Sequence, residues 1–252
     1  MPRAHRFFVP GYIWHITQRC HQKQFLLKFK RDRQRWRAWL FEARKRYGLS
    51  VLNYMATSNH VHMLIYDTGN DVIAKSMHLI AGSTAAEYNR RVRRHGAFWQ
   101  DRYHATAVEN KEHLARCLAY IDLNMVRAGV VQHPSQWDTT GYNEIVSPRK
   151  RYRIIDYERL LQLSGFDDLV RFREGYINRV ETALGQNALQ RDKRWTEAIG
   201  IGSKPFIVRL RQELGWVARA RSLESDDHTW VIREKPSVYA VNRLKATFFN
   251  DK

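Results

Sequence analysis

The succession of hydrophobic patterns over residues 12–128 is the feature that most constrains the fold of this chain. Alternating aromatic and β-branched residues predict strands, and apolar residues three and four positions apart predict helices. The patterns predict, in order, a strand at 12–19, a helix at 32–47, strands at 49–56 and 61–66, a helix at 72–92, a strand at 105–108 and a helix at 111–128. Gly48 is the expected stop of the first helix, and Asn110 and Gly129 are the expected cap and stop of the last.

Two strand-helix-strand halves in this order predict an α+β fold. We expect a ferredoxin-like (RRM-like) antiparallel sheet with helices on one face. The polar stretch between Pro134 and Pro148 marks an expected boundary, which gives a catalytic-type domain at 1–148 and a mainly helical extension at 149–252. Within the extension, helices are expected at 156–164, at 168–184 and after Ser203. The sequence leaves open whether this extension binds DNA.

The charge of the chain points to a polyanionic partner. Its 43 Lys and Arg against 25 Asp and Glu give a formal net charge of +18 and an isoelectric point near 10.2. Residues 1–150 hold 24 of these cations and 11 of the anions, so the anion-facing surface is expected there. A folded protein with this excess is typical of nucleic-acid binding, and a membrane surface is the weaker alternative because no isolated basic amphipathic segment is visible.

Cysteine content and hydropathy indicate the cellular compartment. Cys20 and Cys117 are the only cysteines, too few for a disulfide framework or a four-cysteine zinc site. No apolar run reaches the length of about 18 residues that a spanning helix needs. We therefore expect a cytoplasmic, nucleoid-associated protein with no membrane partner.

The segment HVHMLI places two histidines one residue apart at the start of an expected strand. Because strand side chains alternate between faces, His60 and His62 point the same way and can bind one cation together. The same spacing also fits ordinary polar residues at a strand end, so the pair alone leaves both readings open.

The expected last helix carries a possible third ligand and a nucleophile. Tyr120 and Asn124 are four residues apart and share a helical face. If that face covers the histidines, Asn124 offers a carbonyl oxygen and Tyr120 a phenol, which needs a cation or a base to form the reactive phenolate. The alternative for Tyr120 is an ordinary core aromatic.

Three segments together resemble one family. The chain is similar to the IS200-like (Y1, HUH-type) tyrosine transposases, and most similar to their REP-associated (RAYT) branch, in three segments. These are HVHMLI, FWQDRYHATAV (98–108) and LAYIDLNMVRAGVV (118–131). The opening PGYIWHITQR (10–19) also looks like the start of that branch. The likeness covers roughly residues 1–145 in the family's order.

The resemblance implies a single-strand DNA endonuclease. His60 and His62 fall on the family's metal histidines, Asn124 on its polar third ligand and Tyr120 on its nucleophile. In that family the tyrosine attacks a DNA phosphodiester, leaves a 5′-phosphotyrosine link and a free 3′-hydroxyl, and the strand is later rejoined. The family's hairpin-bearing DNA is the implied substrate, and Mg²⁺ or Mn²⁺ the implied cofactor.

Two positions depart from the family pattern. Met125 replaces the usual proline, and Cys20 replaces the usual glycine after the arginine of the first strand. Since proline costs about 3 kcal/mol in a helix interior, Met125 predicts an unbroken helix through this segment. Neither residue is a proposed ligand or nucleophile.

Basic residues cluster in five places that we expect to contact DNA. These places are the end of the first strand, the loop after it, the start of the first helix, the end of the second helix and the FWQDRY segment. The residues are Arg19, Lys23, Arg31, Arg33, Arg90, Arg91, Arg93, Arg94 and Arg102. Solvated charged faces are the ordinary alternative. Phe98 and Trp99 fit base stacking or the core, and Ser203 fits a helix cap or a phosphate site.

Two other functions stay open beside the enzyme. One is a domesticated protein that binds hairpin DNA without cutting it, and the other is an RNA-binding ferredoxin-like module. The sequence also leaves open a monomer or a homodimer, and whether the tyrosine serves its own chain or a partner.

Overall fold

The first half of the chain forms the predicted ferredoxin-like sheet. The structure is a computed structural model that describes residues 8–185, 190–215, 221–226 and 229–233. Its first four strands are β1 (Ile13–Arg19), β2 (Ser50–Ala56), β3 (His60–Tyr66) and β4 (His104–Val108). They lie in the order β2-β3-β1-β4 with every neighbouring pair antiparallel, which confirms the α+β class.

The first two helices pack on one face of this sheet. They are α1 (Lys30–Tyr47) and α2 (Val72–Arg91), close to the predicted bounds. Gly48 ends α1 in the left-handed conformation at φ 69°, as a glycine stop requires. Trp36 of α1 meets Tyr54 of β2 with ring centroids 6.4 Å apart, so the helices cover the face to which Tyr54 and its cross-strand neighbour Met63 point.

The tyrosine-bearing segment covers the opposite face and is divided in two. It forms α3 (Glu112–Asp122) and α4 (Asn124–Arg127), separated at Leu123 with φ −78° and ψ 3°. The expectation of one unbroken helix is therefore wrong. The guanidinium of Arg127 donates to the Tyr120 carbonyl at 2.7 Å, and this bond takes up a carbonyl at the point where the helix breaks, without any proline. The prediction that Asn110 caps this helix is also wrong. The helix α3 begins at Glu112, and its N-cap residue is Lys111, which makes no side-chain cap bond.

The rest of the chain adds both helices and strands. The elements are α5 (Gly141–Val146), α6 (Tyr157–Ser164), α7 (Leu169–Gly185), α8 (Arg194–Glu197), β5 (Ala198–Gly202), α9 (Lys204–Glu213), β6 (Ser222–Asp226) and β7 (Thr229–Arg233). The helices α6, α7 and α9 match the prediction. The three strands were not predicted, and they continue the sheet to the order β2-β3-β1-β4-β5-β7-β6, with β5 parallel to β4. Residues on both sides of position 148 thus share one sheet, and the division there stays a prediction.

A buried carboxylate ties the tyrosine helix to this second part. Asp122, at the end of α3, is fully buried and accepts hydrogen bonds from Asn53 Nδ2 at 3.0 Å, Thr140 Oγ1 at 3.0 Å and the Tyr176 hydroxyl. These three donors come from β2, from the loop before α5 and from α7. Burial raises the pKa of Asp122 to about 6, against the hydrogen bonds that lower it. The network fixes α3 on the face of the sheet that carries the histidines.

Within the described residues, no helix combines the length and the apolar character needed to cross a membrane. Cys20 and Cys117 are both buried free thiols.

Candidate functional site

A cavity of about 570 Å³ lies at the end of β1 and β3, under the break between α3 and α4. Its wall includes every predicted catalytic and metal-ligating residue, namely His60, His62, Tyr120 and Asn124, and two of the predicted DNA contacts, Arg19 and Arg102. Tyr120 and both histidines thus line the same cavity within a single chain.

The two histidines of β3 present their rings to this cavity from one strand face. The ring centroids of His60 and His62 are 4.8 Å apart at an interplanar angle of 73°. The Nδ1 atom of His60 lies 2.9 Å from Thr57 Oγ1 and 2.7 Å from Asn59 Oδ1. These contacts use Nδ1 and leave Nε2 as the nitrogen for a ligand.

A third histidine, His15 of β1, lies behind this pair. Its Nε2 is 2.9 Å from His62 Nδ1, and its Nδ1 is 2.8 Å from the carbonyl oxygen of Trp195. The rings of His15 and His62 are nearly parallel, with centroids 5.1 Å apart. No sequence motif singles out His15. Strand alternation could have done so, because Thr17, two residues on, pairs with His62 and therefore His15 faces the same side.

Asn124 completes the group around His62. Its Nδ2 lies 3.0 Å from His62 Nε2, so the amide currently donates to the nitrogen that a metal would take. As a ligand, Asn124 would present its carbonyl oxygen instead, and the terminal torsion of an asparagine is soft enough for that turn. The helix break puts Asn124 at the first position of α4, which aims its side chain at β3.

Tyr120 lies above the histidines, between a cation and an indole. Its ring centroid is 6.3 Å from that of His62 and 6.0 Å from that of Trp195, and the Arg127 guanidinium stands 4.3 Å over the ring. The side chain is 8% exposed. Burial raises the pKa of Tyr120, whereas the positive charges of Arg127 and Arg191 lower it. The phenol is thus protonated at neutral pH.

Burial keeps all three imidazoles neutral. It lowers the pKa of His60 to about 4, helped by the charges of Arg19, Arg191 and Arg127. It lowers the pKa of His15 to about 3 and that of His62 well below the ordinary value. A neutral imidazole offers the lone pair that a metal ligand needs.

The donor set fits a divalent cation with open positions. Nε2 of His60, Nε2 of His62 and the side chain of Asn124 line one cavity, and two nitrogens with one oxygen suit several divalent ions. No cluster of three or more His, Cys, Asp or Glu side chains with metal-binding geometry occurs in the described ranges. An amide oxygen and solvent or phosphate oxygens would therefore have to supply the remaining ligands.

The predicted DNA-contacting cations fall into distinct surroundings. Arg19 and Arg102 line the cavity, and Arg31, Arg90 and Arg91 line a groove of about 260 Å³ between α1 and α2. Lys23 and Arg93 are exposed, and Arg94 is half-buried.

Arg33 and Arg91 are occupied within the fold. Arg33 is 7% exposed, donates to the carbonyls of Leu27 and Lys28, and stacks 4.2 Å over the Trp137 ring. We correct its expected role from DNA contact to structural support, because the guanidinium is buried and its Nη1 is already bonded to two carbonyls of the fold. Arg91 forms an ion pair with the buried carboxylate of Asp32, so its charge is partly compensated.

Two open alternatives are decided by contacts. Phe98 is buried, and Trp99 donates from its indole to the Ala81 carbonyl at 2.9 Å, which places both in the core or against it. Ser203 accepts from Phe206 N and donates to the Glu109 carboxylate at 2.7 Å. The helix N-terminus there already holds an anion of the protein, so Ser203 is a cap and no phosphate site.

The far wall of the cavity comes from the second part of the chain and was not predicted. Arg191, Thr196 and Glu197 line it, and Trp195 contacts Tyr120. Arg127 was missed as well. Its only sequence signal is its spacing of seven residues, two helical turns, from Tyr120.

Comparison with known proteins gives one family match. Residues 8–124 match the family model described as "Transposase IS200 like". A search of curated proteins found no match.

Two solved structures show weaker likeness. A REP-associated tyrosine transposase bound to a REP hairpin is 19% identical, covers 59% of this chain and 87% of its own, and has a TM-score of 0.49. A candidate transposase from Deinococcus radiodurans R1 is 17% identical, covers 47% of this chain and 95% of its own, and has a TM-score of 0.34. Neither likeness is close enough to carry an argument about this chain.

Proposed function

Because residues 8–124 belong to the IS200-like transposase family, whose members process DNA, we propose that this chain is a metal-dependent enzyme that cuts and rejoins single-stranded DNA. One observation carries the proposal. His60, His62, Asn124 and Tyr120 come from a strand and from two sides of a helix break, yet all four line one cavity.

The proposed metal is Mg²⁺ or Mn²⁺. His60 and His62 would hold it through their Nε2 atoms and Asn124 through its amide oxygen. Bound there, it would act as a Lewis acid on a non-bridging phosphate oxygen. The chain's own contribution is to keep both imidazoles neutral and directed at one point.

Tyr120 is the proposed nucleophile. Its hydroxyl oxygen attacks the phosphorus, the bond to the 3′-oxygen breaks, and the product is a 5′-phosphotyrosine with a free 3′-hydroxyl. The phenolic proton leaves as the attack occurs, and the departing 3′-oxygen gains one. Arg127, stacked on the ring, favours the phenolate by its charge. Reversal of the same step by a 3′-hydroxyl rejoins a strand, so no external energy source is needed.

Hairpin-bearing single-stranded DNA is the proposed substrate. The support is the sequence likeness to the REP-associated branch together with the basic surface. Arg19, Arg102 and Arg191 at the cavity would hold the phosphates next to the scissile bond. Exposed cations farther out, Lys23, Arg31, Arg90 and Arg93, would contact the remaining backbone, with binding that weakens steeply as salt rises. Action on nucleoid DNA in the cytoplasm belongs to the same proposal.

The test is trapping of a covalent adduct. The protein is mixed with labelled hairpin-bearing single-stranded DNA and Mn²⁺, and the products are separated on a denaturing gel. We expect an adduct for the wild type, its loss in Tyr120→Phe or after chelation, and its retention in the control Tyr152→Phe, since Tyr152 is exposed and remote from the cavity.

Other outcomes assign other functions. Tight hairpin binding with no adduct across varied substrates would refute cleavage and support the DNA-binding alternative. Preference for RNA together with indifference to chelation would support an RNA-binding module. All four proposed catalytic groups are present, which favours the enzyme.

A further inference from the structure

We infer that His15 is a positioning residue that fixes the tautomer of His62, and that the Trp195 carbonyl in turn fixes His15. The tautomer of His62 does not depend on a metal, and only its consequence for cation binding rests on the proposed function. The relay consists of three groups, the Trp195 carbonyl, His15 and His62, of which the first lies beyond the residues that match the family.

The direction of each hydrogen bond follows from what the atoms can do. A carbonyl oxygen only accepts, so His15 must donate to Trp195 from Nδ1–H. His15 is fully buried and its two nitrogens meet a carbonyl and another imidazole, with no carboxylate to compensate a charge. A neutral His15 that carries its proton on Nδ1 has a bare Nε2.

The proton on His62 is thereby assigned. The Nε2 of His15 accepts across 2.9 Å, so His62 donates from Nδ1–H and its own Nε2 is left as a lone pair. That lone pair is directed at the cavity, where Asn124 Nδ2 now donates to it at 3.0 Å. The opposite tautomer of His62 would place a proton at the position where a cation has to bind. The relay therefore prepares the nitrogen before any metal arrives.

The start of the relay is itself held in place. Thr106 Oγ1 donates to the Ala198 carbonyl at 2.6 Å and lies 3.3 Å from the Trp195 carbonyl. Thr106 is a fully buried residue of β4, the strand next to β1. Side chains of β1 and β4 thus converge on one carbonyl of the second part of the chain. This part of the chain, besides lining the cavity, thus sets which nitrogen of His62 carries the proton.

A residue that only packs would behave differently from a residue that assigns a tautomer. Two substitutions of similar size separate the roles. In His15→Gln the amide reaches the place of Nε2 and can accept from His62. In His15→Asn the amide reaches only the place of Nδ1, so it can bond Trp195 and leaves His62 without its acceptor.

The first measurement uses the metal-free protein. Nitrogen-15 chemical shifts of the histidine rings report which nitrogen of His62 is protonated. We expect Nδ1–H in the wild type and in His15→Gln, and a mixture or the Nε2–H form in His15→Asn. An Nε2–H tautomer in the wild type overturns the inference without reference to any variant.

The second measurement is the Mn²⁺ affinity of each protein, determined by isothermal titration calorimetry. Thermal unfolding of each variant is the control for folding. We expect His15→Asn to bind Mn²⁺ about 10–100-fold more weakly than the wild type, as loss of a partner that orients a ligating histidine typically does, and His15→Gln to stay near the wild type. Equal weakening in both variants, with the tautomer unchanged, would show packing alone and overturn the inference. If the wild type shows the Nδ1–H tautomer but binds no Mn²⁺, the relay stands and the proposed metal role fails.

Discussion

Replacing Asp122 by alanine is expected to destabilise the whole protein, because this carboxylate joins the tyrosine helix to three other segments. The substitution removes the acceptor of Asn53, Thr140 and Tyr176, whose donors are buried around it. Each buried donor left without a partner costs about 1–3 kcal/mol. Three such donors give a sum of about 3–9 kcal/mol.

Two effects reduce this sum. Burial raises the pKa of Asp122 to about 6, so the wild type already carries the cost of a desolvated carboxylate that the variant escapes. The donors can also partly satisfy one another or admit a water molecule. We expect the free energy of unfolding to fall by about 4 kcal/mol, near the lower end of that sum. This corresponds to a fall of about 8–16 °C in the unfolding temperature for a chain of this size.

The assay is thermal and urea unfolding followed by circular dichroism, with Asp138→Ala as the matched control. Asp138 is an exposed aspartate paired with Lys30, and an exposed pair contributes about 0–1 kcal/mol. If the unfolding free energy of Asp122→Ala is within about 1 kcal/mol of the wild-type value while Asp138→Ala behaves as expected, the Asp122 network does not hold α3.

Three further predictions concern single side chains. Arg33→Ala should lower the free energy of unfolding by about 2–4 kcal/mol, because it removes buried hydrogen bonds from a charged donor. Arg31→Ala should leave stability unchanged and weaken DNA binding at low salt. Unfolding curves and binding titrations separate the two variants, and an equal loss of DNA affinity in both would contradict this assignment. Ser203→Ala should cost about 1 kcal/mol as a lost helix cap, measured by urea unfolding, and a loss of phosphate or DNA affinity without a loss of stability would contradict the cap. Burial raises the pKa of Cys20 to about 12, so its thiol should resist a disulfide reagent at pH 8 until the protein unfolds, and rapid labelling of the native protein would refute that burial.

Local patterns predicted the first half of the fold well, because its strands and helices carry their own periodicity. The strand pair β2 and β3 and the helices α1 and α2 lie within two residues of their predicted bounds. The strands β5 to β7 were missed for a physical reason. Each has five residues, and SLESD of β6 is polar and largely exposed, so its own pattern does not predict a strand and only its pairing with β7 makes it one.

The candidate site was predictable where residues match a family motif and not where the site depends on long-range placement. The family resemblance singled out His60, His62, Tyr120 and Asn124, whose types and spacing alone left other roles open, and all four line the cavity. Arg33 was misjudged because its burial depends on Trp137, more than a hundred residues later.

The site residues that were missed share this dependence. His15 looked like any strand residue until the Trp195 carbonyl and His62 gave it a role. The helix break was missed because a side chain, the Arg127 guanidinium, binds the Tyr120 carbonyl where a backbone pattern alone predicts a continuous helix.

The central claim is that Tyr120 itself becomes linked to DNA, and peptide mapping of the trapped adduct tests it most directly. The adduct formed with Mn²⁺ and hairpin-bearing DNA is digested with protease and nuclease, and the peptides are sequenced by tandem mass spectrometry. We predict a nucleotide 5′-phosphate on Tyr120 and on no other tyrosine. A nucleotide carried by a different residue, or none in any peptide while the DNA is nevertheless cut, would contradict the account.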